Sequence, residues 1–117
     1  MALNNSGRNA AANGVASNVG YVSLHTADPG TTGTNEVTGG TPAYARKAVA
    51  WSTASGGVAA ISGGVTFDVP ASTSISYIGL WSTATGGTFY GGAALSATET
   101  YGGQGTYNLT ALTITIT

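Results

Sequence analysis

His25 is the only histidine in the chain; it closes the alternating run YVSLH (21–25), with Asp28 three positions on in LHTADPG. Serine, histidine and aspartate are the residue types of a nucleophile, base and orienter, and serines are abundant. Catalysis needs the three held together, usually with a Gly-x-Ser-x-Gly elbow presenting the serine. No such elbow occurs, and His25 and Asp28 straddle a strand end and a proline turn. Local bonding of His25 at its strand terminus is the simpler expectation, so no catalytic residue is assigned.

Metal chemistry would have to draw on His25, Asp28, Glu36, Asp68 and Glu99, which show neither zinc nor EF-hand spacing. Phosphate chemistry would need a Gly-rich loop opening a helix, and GGQG (102–105) is not followed by one. No metal and no cofactor is therefore expected. Sugar binding is the strongest remaining chemistry. WSTASGG (51–57) returns as WSTATGG (81–87), setting a tryptophan beside hydroxyls and a glycine pair. Aromatic faces cover sugar C–H surfaces while polar groups fix the hydroxyls. Trp51 is in phase with Val49, which assigns it to the core. Trp81 ends ISYIGLW (75–81), apolar on both faces, so it is expected between two layers or two subunits.

The elements that must position these residues are short. Residues 5–18 form the one expected helix, with Ala11, Val15 and Val19 on its inner face and Asn5 or Ser6 as its cap. Asn13 and Gly14 weaken it, so it needs packing against the rest of the chain. Alternation then predicts strands at 21–25, 44–51, 58–61, 65–69, 75–81, 88–90, 106–109 and 112–117. Between 26 and 42 lies a long polar loop opened by the Asp-Pro-Gly turn. Glycine pairs at 39–40, 56–57, 63–64, 86–87, 91–92 and 102–103 read as turns between the strands. The pattern predicts a mainly β chain: an antiparallel β-sandwich or jelly-roll-like domain over 19–117, preceded by a short N-terminal helical segment over 1–18.

Composition excludes several partners. Charged residues make up 6% of the chain, against about 25% in ordinary domains. Three cations cannot build the footprint of a nucleic-acid binder or grip an anionic membrane. Ten aromatics and many β-branched residues argue against disorder. Arg46 and Lys47 would point to opposite faces of their strand, most simply as solvated charges that discourage unwanted pairing. The N-terminus has neither a basic start nor an apolar run, so no secretory signal is expected. So weakly charged a surface repels its neighbours little and favours assembly.

Several segments, in order along nearly the whole chain, carry a resemblance: ALNNSGRNAA, YVSLHTADPGTTGTNEVTGG, YARKAVAW, VTFDVPA, ISYIGLWS, GGTF and GQGTYNLTALTI. The chain resembles a family of small tailed-bacteriophage virion proteins, described as tail-fibre-like or minor structural, and LHTADPG is the most specific piece. The resemblance implies a non-enzymatic β-rich module on the phage particle, made in the host cytoplasm and displayed on the virion surface. Heptads, shaft repeats and a stalk are absent from the sequence, which suits a capsid decoration protein or a small knob as well as a fibre. The expectation is a homo-oligomer, a trimer by preference, docking on capsid or tail proteins through the 1–18 segment and the LHTADPG loop. Its candidate contact residues are His25, Asp28, Trp81 and Tyr90. The competing expectation is a tail-fibre or tail-tip module that binds host-surface glycan.

Overall fold

The computed structural model describes residues 1–117. Helix α1 (Asn5–Asn18) is followed by β1 (Tyr21–His25), β2 (Lys47–Ala48), β3 (Val58–Ala60) and β4 (Val65–Val69). Then come β5 (Thr73–Trp81), β6 (Phe89–Tyr101), β7 (Gly105–Leu109) and β8 (Thr113–Thr115). Every pairing is antiparallel. One four-stranded sheet has the order β2-β1-β5-β6, and two ribbons pair β4 with β7 and β3 with β8.

The main core is the space between the sheet and the β4–β7 ribbon. Val22 and Leu24 from β1 and Ile75 and Ile78 from β5 meet Phe67, Val69 and Leu109 of the ribbon, with Val37 added from the long loop. This is sandwich-like packing of two apolar faces. Ile75 and Ile78 differ by an odd number of residues, so a regular strand would send them to opposite faces. A bulge between Ile75 and Tyr77 resets the phase and lets both face inward.

A second, smaller core joins α1 to the β3–β8 ribbon through Ala12, Ala16, Ala54, Ala59 and Ile114. The helix has the expected bounds, but its buried stripe lies one residue on from the expected one. Ala12 and Ala16 are buried with Val19, while Ala11 and Val15 flank them half-buried. Alanine facing alanine lets helix and ribbon approach closely, and a reading that weights larger side chains misses such a seam. The cap is Asn4, one residue before the expected ones; its side chain accepts from Gly7 N at 3.0 Å. The helix is too short and polar to cross a membrane.

Two strands differ most from expectation, while the expected 112–117 strand shortens to Thr113–Thr115 and others shift by one or two residues. The run 44–51 contributes only Lys47–Ala48 to the sheet, because the edge of β1 beyond Val22 is already occupied. Leu24 N donates to the Tyr44 hydroxyl at 3.0 Å, and Val37 N donates to Leu24 O at 3.0 Å. β6 runs for 13 residues where three were expected, passing straight through Gly91 and Gly92. Its glycine pair belongs to a strand rather than a turn. Register shifts leave Tyr90 unpaired opposite Leu80–Trp81 and set residues 95–98 opposite the single residue between Ile75 and Tyr77.

Candidate functional site

The other face of the sheet carries the residues with chemical potential. On β1, Ser23 and His25 are two apart and therefore share that face. Cross-strand from Ser23 is Gly79. A Cβ at Gly79 would stand 2.5 Å from Ser23 Oγ and 2.7 Å from His25 Nε2, so only glycine leaves room for the two polar groups to meet. They do meet: Ser23 Oγ lies 2.6 Å from His25 Nε2.

The proton positions in this pair follow from its neighbours. His25 Nδ1 is 2.7 Å from Thr34 O, and a carbonyl only accepts, so Nδ1 carries the hydrogen. Trp81 Nε1 donates to Ser23 Oγ at 2.8 Å. Ser23 then donates its own proton to the neutral Nε2. The result is one directed chain, Trp81 to Ser23 to His25 to Thr34, in which each donor has an acceptor. Ser23 and His25 are both 0% exposed, and burial holds the imidazole below its usual pKa, in the neutral form the chain requires. The serine has no open side for a substrate. Chemically, the arrangement is a latch holding the strand face to the loop.

The long loop forms the lid. Arg46 lays its guanidinium over the Trp81 ring, 3.6 Å from the centroid. The same group makes a two-pronged bond to Glu36, Nε to Oε2 at 3.0 Å and Nη2 to Oε1 at 2.9 Å. Its remaining nitrogen reaches Thr83 O at 3.1 Å and Gly86 O at 2.9 Å. Arg46 is thus neither a solvated edge charge nor free for a partner: its side chain is 9% exposed and its donors are engaged inside the chain. The Tyr44 hydroxyl donates to Glu36 Oε2 at 2.8 Å while its ring stacks on Phe67, tying the lid to the main core. Burial, with the Glu36 carboxylate adding to it, keeps Tyr44 protonated far above the ordinary tyrosine range. Phe89 closes the side of Trp81 at 5.0 Å between ring centroids. Gly33, at φ 79°, lies so close over the indole that any Cβ there would overlap it.

Of the four candidate contact residues, the structure gathers two and separates two. His25 and Trp81 belong to the buried chain, with Trp81 8% exposed. Asp28 is exposed, and its carboxylate accepts from Gly30 N at 2.8 Å to close the Asp-Pro-Gly turn. Tyr90 is 44% exposed on the bulge of β6. The two tryptophans exchange their expected ranks. Trp51 is half-buried at the edge of the smaller core, with Nε1 donating to Val19 O at 2.9 Å, and Trp81 is the deeper ring.

Sequence reasoning missed Arg46, Glu36 and Tyr44 as members of the site. Tyr44 and Arg46 share a face in the alternation of 44–51, but nothing local signals that Glu36, ten residues before Arg46, turns back to meet it.

Two cavities flank this framework, each of about 360 Å³. One lies outside the Glu36–Arg46 pair, between residues 36–46 and the loop at 84–86. The other has an uncharged lining, partly apolar and partly polar, and opens between β6 and β7.

A family model described as Podophage GP4 fiber I protein gp80 matches residues 2–117. The chain belongs to that phage fibre protein family, and it is a virion structural component. No curated protein matches it.

Proposed function

We propose that this fibre-family protein is a passive, non-enzymatic module of the particle surface, whose copies assemble as a trimer and dock on capsid or tail by shape and apolar contact. The observation that carries the reading is the sealed Trp81–Ser23–His25–Thr34 chain. The chain's single histidine and the serine bonded to it are spent on holding the fold. What remains outside is a neutral surface of serine, threonine, asparagine and glycine, which resists close packing little.

Docking uses the LHTADPG loop, where Asp28 is exposed, and the solvent face of α1. Deleting residues 1–18 would uncover Ala59 and Ile114, so it cannot separate docking from folding. Ala10→Arg and Ser17→Arg alter only exposed positions of α1 and test docking directly. Loss of these variants from particles, with unchanged thermal stability, is the expected result; normal incorporation removes the helix from the docking surface. Electron microscopy of intact particles tests the location. A regular surface lattice identifies a decoration protein, density confined to the tail identifies a fibre or tip component, and absence from both overturns the reading.

Glycan recognition is the second reading, supported by one exposed aromatic ring, that of Tyr90. It expects purified protein to bind host cell-wall polysaccharide and Tyr90→Ala to weaken that binding. Unchanged binding in the variant, or none in the wild type, retires it.

A further inference from the structure

The sandwich is closed on one side and open on the other. β6 and β7 each pair with a strand on one side only, and no loop backbone bonds to either. Between them lies a cavity of mixed lining, with Ile78, Ala94 and Leu95 on one wall, Tyr107 and Leu112 on the other, and the polar side chains of Ser96 and Asn108 among them. No charged side chain lines it. Three residues from Ala93, the bulge re-aims Tyr90 away from the ladder and leaves it exposed. The only other large apolar side chains so exposed are Met1 and Leu3, ahead of the helix.

We infer that the open β6–β7 side is a contact surface for a second copy of this chain, with Tyr90 of one copy seated in the uncharged cavity of the next, its ring against the apolar side chains and its hydroxyl within the polar ones. The inference rests on the assembly reading above and names its interface. Knob and hole lie within a few residues of each other on one strand, so each copy offers both to the same neighbourhood. In a trimer the three open sides face the shared axis, and each Tyr90 enters the adjoining copy. The area is sufficient. β6 spans the nine residues of β5, about 30 Å of strand at ~3.3 Å per residue. Two layers about 10 Å apart present a side about 20 Å deep with their side chains. That gives about 600 Å² per copy and about 1,200 Å² in all, the lower limit for a stable specific interface. The cavity itself offers a charged partner nothing to pair with, and Glu99 is the one charged residue on β6 and β7, so a copy of this chain brings a surface almost as free of charge. Charge placed in the cavity should therefore be destructive.

The test is the native mass of the full chain by sedimentation at ~1–100 µM, for wild type, Tyr90→Arg and Ala94→Lys. Both positions are exposed in the single chain, so each variant should keep the wild-type circular dichroism, and two variants guard against one failing to fold. The expected result is an oligomeric wild type and at least tenfold weaker association in both variants. An oligomer that both variants leave intact overturns this interface while the assembly reading stands. A wild type that is monomeric throughout the range overturns both.

Discussion

WSTASGG at 51–57 and WSTATGG at 81–87 share six of seven letters in register and are held by different means. In the first, Ser55 and Val58 exchange both backbone bonds, at 2.9 and 3.0 Å, around Gly56 and Gly57, each at positive φ. This is the two-residue turn that a right-twisted hairpin needs. Its Ser52 and Thr53 are exposed, and the segment is fastened from outside by α1. Asn13 accepts from Ala54 N at 2.8 Å and Asn9 from Gly57 N at 2.7 Å, one helical turn apart. The second copy makes a longer loop and fastens itself. Ser82 accepts from Thr88 N at 2.9 Å, and Thr83 donates to Thr85 O at 2.7 Å. Arg46 then takes two of the loop's carbonyls from above. The shared letters supply a turn and a ring; the neighbours decide whether the ring is a peripheral brace or a buried keystone.

The comparison breaks most readily at Arg46. Arg46→Ala strips the Trp81 face, frees two carbonyls and leaves Glu36 half-buried without its cation. A loss of about 3 kcal/mol is expected in urea denaturation. A loss below about 1 kcal/mol would mean that the pair behaves as a solvated surface bridge. At the first copy the matching change is Asn13→Ala, which orphans Ala54 N. Part of that cost returns as better helix propensity, so about 1 kcal/mol net is expected by the same measurement. Equality of the two losses would erase the distinction between brace and keystone. The smallest effect compares the serines themselves. Ser82→Ala should cost about 0.5–1 kcal/mol through the bond to Thr88 N, and Ser52→Ala should lie within about 0.5 kcal/mol of wild type. The reverse order would place the self-fastened loop in the wrong copy.

Much of this framework was legible in the sequence. Alternation over YVSLH put Ser23 and His25 on one face, and the phase of ISYIGLW put Trp81 with Gly79, which are the contacts the latch uses. The helix bounds and the strands at 21–25 and 65–69 follow from period alone. What failed has physical causes. A glycine pair can also sit inside a strand where a bulge needs its freedom, as Gly91–Gly92 do in β6, with Gly91 at positive φ. Bulges also shift phase, which hid the shared core of Ile75 and Ile78. The lid could not be read, because Glu36, Arg46 and Trp81 meet only through tertiary contacts.

The latch makes a claim about protons. Protonating His25 would turn Nε2 into a donor toward Ser23 Oγ, which already accepts from Trp81, and would strand the serine's proton. His25 has a lowered pKa in the folded chain, so the unfolded chain takes up the proton first. Stability on this account is full above the unfolded value of about 6.5 and declines as pH falls below it. The most direct test uses the fact that the chain has one histidine, so the imidazole nitrogen spectrum contains one ring. The account predicts a neutral Nδ1–H tautomer, with a slowly exchanging proton, that titrates below 6.5. An Nε2–H tautomer, or titration at or above 6.5, would contradict it.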